Sequence, residues 1–224
     1  MIWVCSDLHF NHYNILNLEK FNLSRSGLDY INTLDQYNKM IVSHINQKVG
    51  KQDTLYILGD FGFGPVCNLK PLLDSIHCQN KILIFGNHDS FSVTQAKNMG
   101  FSQALPEPYY LPEAKGRIIL SHHPAYDAYE NPYIAYNIHG HLHGSKIDNP
   151  HFFNANIAMC DYFPVKLDSF LGKCASLAKS RDEKWLQEWY KFDQIFIDRK
   201  REDLNLDHLG KIIREENKDV NKND

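Results

Sequence analysis

The chain has 224 residues, 43% of them hydrophobic and 23% charged, with a formal net charge of −3. That length suits one domain with an appendage and is ample for a sizeable core. The slightly acidic balance excludes a charge-driven grip on nucleic acid, while leaving room for a locally basic groove.

The first predicted element is a strand, Ile2-Trp3-Val4-Cys5, running into Ser6-Asp7-Leu8-His9. A helix follows. Thr33-Leu34-Asp35-Gln36 has the capping-box pattern, and Leu34, Tyr37, Ile41, Ile45 and Val49 recur at helical spacing before Gly50. A second strand, Thr54 to Leu58, runs into Gly59-Asp60. Asn68 is expected to cap a short helix carrying Leu69, Leu72, Leu73 and Ile76, with Pro71 in its first turn. Lys81 to Phe85 forms a third strand ending in Gly86-Asn87-His88-Asp89, and a helix from Ser92 to Met99 stops at Gly100. Two more strands, Arg117 to Leu120 and Tyr136 to Ile138, lead into Ser121-His122-His123-Pro124 and His139-Gly140-His141-Leu142-His143-Gly144.

Continuous apolar runs of this length, bounded by Gly or Pro, suit strands buried on both faces. Strands alternating with helices indicate a layered α/β domain, with chemistry collected at the carboxyl ends of its strands. Residues 1–168 are expected to form that domain. Beyond it, Gly and Pro nearly vanish and aromatic residues recur at helical spacing, so 169–214 is expected to be a helical C-terminal extension packed on the core. The polar stretch 215–224 is expected to be a disordered tail. No basic segment followed by an apolar run opens the chain, and no stretch approaches the roughly 20 apolar residues of a membrane span. The expected location is therefore cytoplasmic and free of the membrane. Cys5, Cys67, Cys78, Cys160 and Cys174 include no CxxC pair and read as reduced structural thiols.

Histidine is the outlier. Of twelve, eight lie in the strand-end clusters: His9, His12, His88, His122, His123, His139, His141 and His143. Asp7 and His9 are two apart, as are His141 and His143, which in an extended segment points both side chains the same way. Asp60 and Asn87 each follow a glycine, which permits close backbone approach to a metal or phosphate. Carboxylate, amide oxygen and imidazole together suit hard-to-borderline divalent cations, and the lack of thiolate argues against a structural zinc site.

These five blocks, in this order, resemble the calcineurin-like metallophosphoesterase superfamily, whose pattern is D-x-H, G-D, G-N-H-[DE], H and G-H-x-H. The resemblance covers about residues 1 to 170 and is nearer to small bacterial and phage metallophosphoesterases. Those also share segments like Ser6 to Ile15, Leu58-Gly59-Asp60-Phe61, Leu120-Ser121-His122 and a late strand at Asn156-Ile157 leading to Tyr162-Phe163-Pro164-Val165. It implies two packed mixed β-sheets flanked by helices. It further implies two divalent metal ions, with manganese preferred and iron, zinc, nickel or magnesium as substitutes. Asp7, His9 and His143 would hold one ion; Asn87, His122 and His141 would hold the other; Asp60 would bridge them.

The implied reaction is hydrolysis of a nucleotide-type phosphodiester by in-line attack of a metal-bridging hydroxide, with His88 protonating the leaving group. His12 and Arg25 are candidate substrate contacts, each balanced against a loop or surface role. Asp89, His123 and His139 are read as partners of the ligand residues. For Asp89 this means orienting His88 or, preferably, capping the following helix. Gly59-Asp60-Phe61-Gly62 departs from the G-D-x-V-D-R-G of protein phosphatases, so the expected partner is a small phosphorylated molecule. A metal-dependent nuclease is the main alternative and a non-catalytic scaffold a lesser one. Homo-oligomerisation stays open.

Overall fold

The computed structural model describes residues 1–114, 117–125, 131 and 134–171. Two mixed sheets form the frame. The first runs β4-β3-β2-β1-β9, from β1 (Ile2–Cys5), β2 (Thr54–Leu58), β3 (Asn80–Ile84), β4 (Gln103–Leu105) and β9 (Val165–Lys166). The second runs β5-β6-β7-β8, from β5 (Tyr109–Tyr110), β6 (Ile118–Leu120), β7 (Tyr136–His139) and β8 (Phe152–Asn154). β1 to β4 are parallel with β9 antiparallel on the edge; β6, β7 and β8 are parallel with β5 antiparallel.

Alternating side chains of the first sheet feed two cores. Cys5, Leu55, Ile57 and Leu83 pack with Tyr37, Ile41, Ile45, Leu69 and Leu73 from α3 (Leu34–Lys48) and α4 (Val66–Ser75), and with Ala96 and Met99 from α5 (Val93–Met99). Val4, Tyr56, Leu58, Ile82 and Ile84 turn the other way, against Ile118, Leu120, Tyr136 and Ile138 of the second sheet. Burial on both faces is why the strands read as unbroken apolar runs. Each fully buried Leu or Ile contributes on the order of 1.5–3 kcal/mol.

Two helix starts are those expected. Thr33 accepts from the Gln36 N–H while Gln36 bonds back to the Thr33 N–H, and Ser92 and Gln95 do the same for α5, which ends at Gly100. One start differs. α4 begins at Val66, directly after Pro65, so Asn68 lies inside the helix and Pro71 sits beyond its first turn. Pro65 has φ −66° and no N–H to satisfy, which makes it a competent stop before the first turn. The late strand also differs: β8 ends at Asn154, and Ile157–Cys160 is a 3-10 turn capped by Asn156.

The segment between them joins the sheets. The Ala155 N–H donates to the His139 carbonyl, while Ser6 N–H donates to the Ala155 carbonyl and Ile157 N–H to the Ser6 carbonyl. The ends of β1 and β7 are thereby held side by side. Of the helical extension expected over 169–214, only the turn α6 (Asp168–Leu171) is described; the rest, with the 215–224 tail and Cys174, lies outside the described residues. No helix among the described residues is long and apolar enough to cross a membrane.

Candidate metal centre

All seven expected ligand residues project from the carboxyl ends of β1, β2, β3, β6 and β7 or the turns just after them. Three overlapping groups result: Asp7, His9 and His143; Asp7, Asp60 and His122; His122, His123 and His141. Within each group the donor atoms lie within 4.8 Å of one another. Asn87 joins the last group through its side-chain oxygen, 2.8 Å from His122 Nε2, and His141 Nδ1 lies 3.2 Å from the same nitrogen. Asp60 Oδ2 stands between the groups, 4.0 Å from His9 Nε2 and 3.5 Å from His122 Nε2.

The route to this geometry is not the extended one. Asp7, His9, Asp60, His141 and His143 have φ of 56°, 47°, 53°, 66° and 44°, so all five occupy the left-handed region. Such conformations cost energy for residues with a Cβ and gather at functional sites. The spacing of two therefore brings each pair together through tight turns, not through strand alternation. Main-chain hydrogen bonds hold the turns: Asp7 N–H to Gly59 O, His9 N–H to Asp60 O and Phe10 N–H to Phe61 O.

Glycines let the turns meet. A Cβ on Gly59, whose φ is +77°, would stand 2.6 Å from both Gly86 Cα and His122 Nδ1. A Cβ on Gly140 would strike Ser6 and the Asp7 carboxylate. The glycine before Asp60 and the one before Asn87 thus approach each other and a ligand ring.

The Asp7 carboxylate accepts from the Ser6 hydroxyl and from the His141 N–H at 3.1 and 3.2 Å. Burial pushes the Asp7 carboxyl above its ordinary pKa, although nearby imidazoles pull the other way. His9 is 4% exposed, yet neither ring nitrogen has a hydrogen-bond partner among the described residues. Burial, reinforced by neighbouring histidines, depresses its pKa to about 2, so the ring is a neutral donor. Nε2, orphaned 3.9 Å from the Asp7 carboxylate and 4.0 Å from that of Asp60, is the nitrogen a cation between them would satisfy. Oxygen and imidazole donors without thiolate fit a divalent ion of the manganese, iron or zinc kind.

The remaining expected residues fall in varied places. His88 is exposed, its N–H donating to Asp60 Oδ1 at 3.0 Å and its ring 5.3 Å from Phe63 and 6.3 Å from His9. His12 packs edge-on to Phe63 at 4.5 Å, with a buried Nδ1 that has no partner among the described residues. Arg25 is the last residue of helix α2 (Lys20–Arg25), not a loop residue, and donates to Ala158 O at 2.9 Å. His139 is fully buried, Nδ1 against Gly140 O at 2.9 Å, and burial lowers its pKa to about 4. His123 sits within the ligand cluster itself, its Nδ1 2.6 Å from Glu107 Oε1.

Asp89 partners the backbone of a ligand residue, Asp60, instead of the His88 ring or the start of α5. Its carboxylate accepts the N–H groups of Asp60, Phe61 and Gly86 at 2.9 to 3.0 Å, and Ser92 caps α5 instead. Burial raises its carboxyl to about 6 despite those donors. An Asp89→Ala chain is expected to lose about 2–4 kcal/mol of stability from stranding these N–H groups. The urea midpoint of the metal-free protein measures it, and an unchanged midpoint would remove Asp89 from that role.

Two acids escape sequence reading altogether. Glu19, after helix α1 (Ile15–Leu18), is 3% exposed and lies 3.5 Å from His143 Nδ1, with Asn22 Nδ2 donating at 2.7 Å and the Tyr162 hydroxyl at 3.4 Å. Burial works to raise its carboxyl, but the bonds from His143 and Asn22 prevail and hold it below the usual value. Glu107 takes the backbone N–H of both His122 and His123, at 2.6 and 2.8 Å. A carboxylate on the far nitrogen of a ligating histidine orients the ring and raises its basicity, while one on the backbone N–H fixes where the residue sits.

The family profile for calcineurin-like phosphoesterases matches residues 1–209. The chain belongs to that family. Membership makes this calcineurin-like phosphoesterase a metal-dependent hydrolase of phosphate esters, and the clustered donors are its candidate metal-binding residues. It is 27% identical over 177 residues to an uncharacterized protein of Methanocaldococcus jannaschii, covering 75% of this chain and 87% of that one. A protein of unknown function from Aquifex aeolicus has a similar structure, with a TM-score of 0.56 and 25% identity over 75% of this chain and 96% of its own. A nuclease of Pseudomonas putida aligns less well, with a TM-score of 0.35 and 21% identity over 63% of this chain and 61% of that one.

Proposed function

We propose that the chain is a two-metal phosphodiesterase acting on small nucleotide-type diesters, cyclic nucleotides or dinucleotides being the preferred class. One observation carries the reading: Asp60 Oδ2 lies between the Asp7–His9–His143 group and the His122–His141–Asn87 group, within 4.0 Å of a ring nitrogen in each. A shared carboxylate between two donor sets is the layout of a paired-cation site. Asp7, His9 and His143 would hold one ion and Asn87, His122 and His141 the other, with Asp60 serving both. Manganese is the ion the family resemblance favours, and the mixed oxygen and imidazole donors also accommodate iron, zinc or nickel. When bound, such ions supply an activated water and neutralise charge on the phosphoryl oxygens.

The chain's own residues supply the rest. Glu19 and Glu107 orient His143, His122 and His123, so the donors are set before substrate arrives. His88, pinned at its backbone to Asp60 Oδ1, presents its imidazole at the exposed rim, where it protonates the departing ester oxygen. His12, beside it, contacts substrate phosphate.

Purified chain should bind two manganese ions, hydrolyse bis(p-nitrophenyl) phosphate faster than the monoester, and lose both properties to chelator. Inert, cation-free protein after manganese supplementation would overturn the reading. Cleavage of DNA or RNA that outpaces small diesters and falls steeply with salt would replace it with a nuclease.

A further inference from the structure

Beside His143 a cleft of about 450 Å³ opens, lined by Leu18, Glu19, Phe21, Asn22, Arg25, Gly144 and Met159 as well. It adjoins the donor cluster through His143, which belongs to both, so a group held in it lies next to the proposed metal site. The volume falls within the range of small-molecule sites, about 300–1,000 Å³. One nucleoside-sized group fills such a space; a run of stacked bases does not.

Its wall chemistry is selective. Phe21 is 77% and Leu18 57% exposed, and with Met159 they give the cleft apolar surface. Arg25 spends one nitrogen on Ala158 O and stands 3.8 Å from the exposed Asp161 carboxylate, leaving further guanidinium donors at the cleft. The acid in the lining, Glu19, is 3% exposed, and Asn22, Tyr162 and His143 surround its carboxylate, so it offers an incoming anion little repulsion. A flat aromatic face, an apolar ledge and one planar cation match a nucleobase carrying a phosphate.

We propose that this cleft is the nucleotide subsite, in which Phe21 stacks on the base and Arg25 pairs with a phosphate other than the one being cleaved. The proposal rests on the phosphodiesterase reading for its role in turnover, while binding can be judged apart from it. The substrate thereby becomes a nucleotide diester bearing a second anionic group, a dinucleotide in preference to a cyclic mononucleotide.

The test uses the full chain stripped with chelator, titrated with AMP, adenosine and inorganic phosphate by ligand-observed NMR. AMP is expected to bind more tightly than either fragment. Phe21→Ala should weaken AMP about tenfold, in keeping with loss of one stacked base, and Phe21→Trp should restore it. Arg25→Met should weaken AMP and leave adenosine unchanged. With manganese, the ratio of kcat/KM for the p-nitrophenyl ester of a nucleotide over that for methyl p-nitrophenyl phosphate should drop about tenfold in Phe21→Ala. AMP binding no tighter than phosphate, or indifferent to both Phe21→Ala and Arg25→Met, overturns the proposal. A wild-type chain that cleaves neither ester but binds AMP as expected would sink the phosphodiesterase reading and keep the subsite.

Discussion

The Asp60→Asn chain is expected to hydrolyse diesters on the order of 10³-fold more slowly than the parent and to hold fewer than two manganese ions after desalting. The residue lies between both donor groups, and its Oδ2 lies nearest the ring nitrogens. Asparagine keeps an oxygen for the His88 N–H but surrenders the charge that two cations would share. Stability should move the other way. Asp60 adds to the pressure raising the Asp7 carboxyl, so neutralising it relieves a buried like-charge contact in the metal-free protein. Metal content and the urea midpoint together distinguish lost ligation from lost folding. Full activity with two ions bound would show that Asp60 does not bridge.

His88→Ala is expected to leave both ions in place, because His88 belongs to none of the donor groups. The damage should depend on the leaving group. For nucleoside or alkyl diesters, whose departing oxygen needs a proton, the loss should reach about 10²–10⁴-fold; for p-nitrophenyl esters it should be slight. A plot of log kcat against leaving-group pKa should therefore steepen in the variant. Parallel lines, with every substrate slowed alike, would remove the acid role and recast His88 as a residue that shapes the rim.

How far the site was legible in sequence follows from how each part is built. Strand ends announce themselves because apolar runs stop abruptly at Gly-Asp, Gly-Asn-His and His-Gly-His, and a parallel frame must gather those ends on one edge. Those ends carry eight histidines with Asp7, Asp60 and Asn87; the family resemblance selects Asp7, His9, Asp60, Asn87, His122, His141 and His143 from among them, and these seven do converge. Their backbone was not nameable, since extended pairs and left-handed turns share the same spacing.

Glu19 and Glu107 were invisible for another reason. Neither belongs to a motif, and Glu19 meets His143 across more than a hundred residues of chain, so only tertiary packing reveals the contact. Asp89 misled because an acid just before a helix usually caps it, whereas three N–H groups from the Gly59–Phe61 and Gly86 turns claim it first. At α4, Pro65 outranked Asn68 as the stop, since a proline can precede a first turn without a side-chain cap.

The left-handed turns at His9 and His143 are held through their own backbones, by His9 N–H to Asp60 O, His12 N–H to His9 O and Asn154 Nδ2 to His143 O, whereas the Asp7 and Asp60 carboxylates also hold the neighbouring His141 and His88 N–H groups. At the two histidines the mould is therefore separable from what it casts. A descendant could exchange an imidazole for a carboxylate at His9 or His143, and so shift its preference among cations, while inheriting the same turns intact. Selection can retune the inorganic chemistry by point substitution without a new architecture, which is a route by which one small scaffold could come to serve unlike substrates.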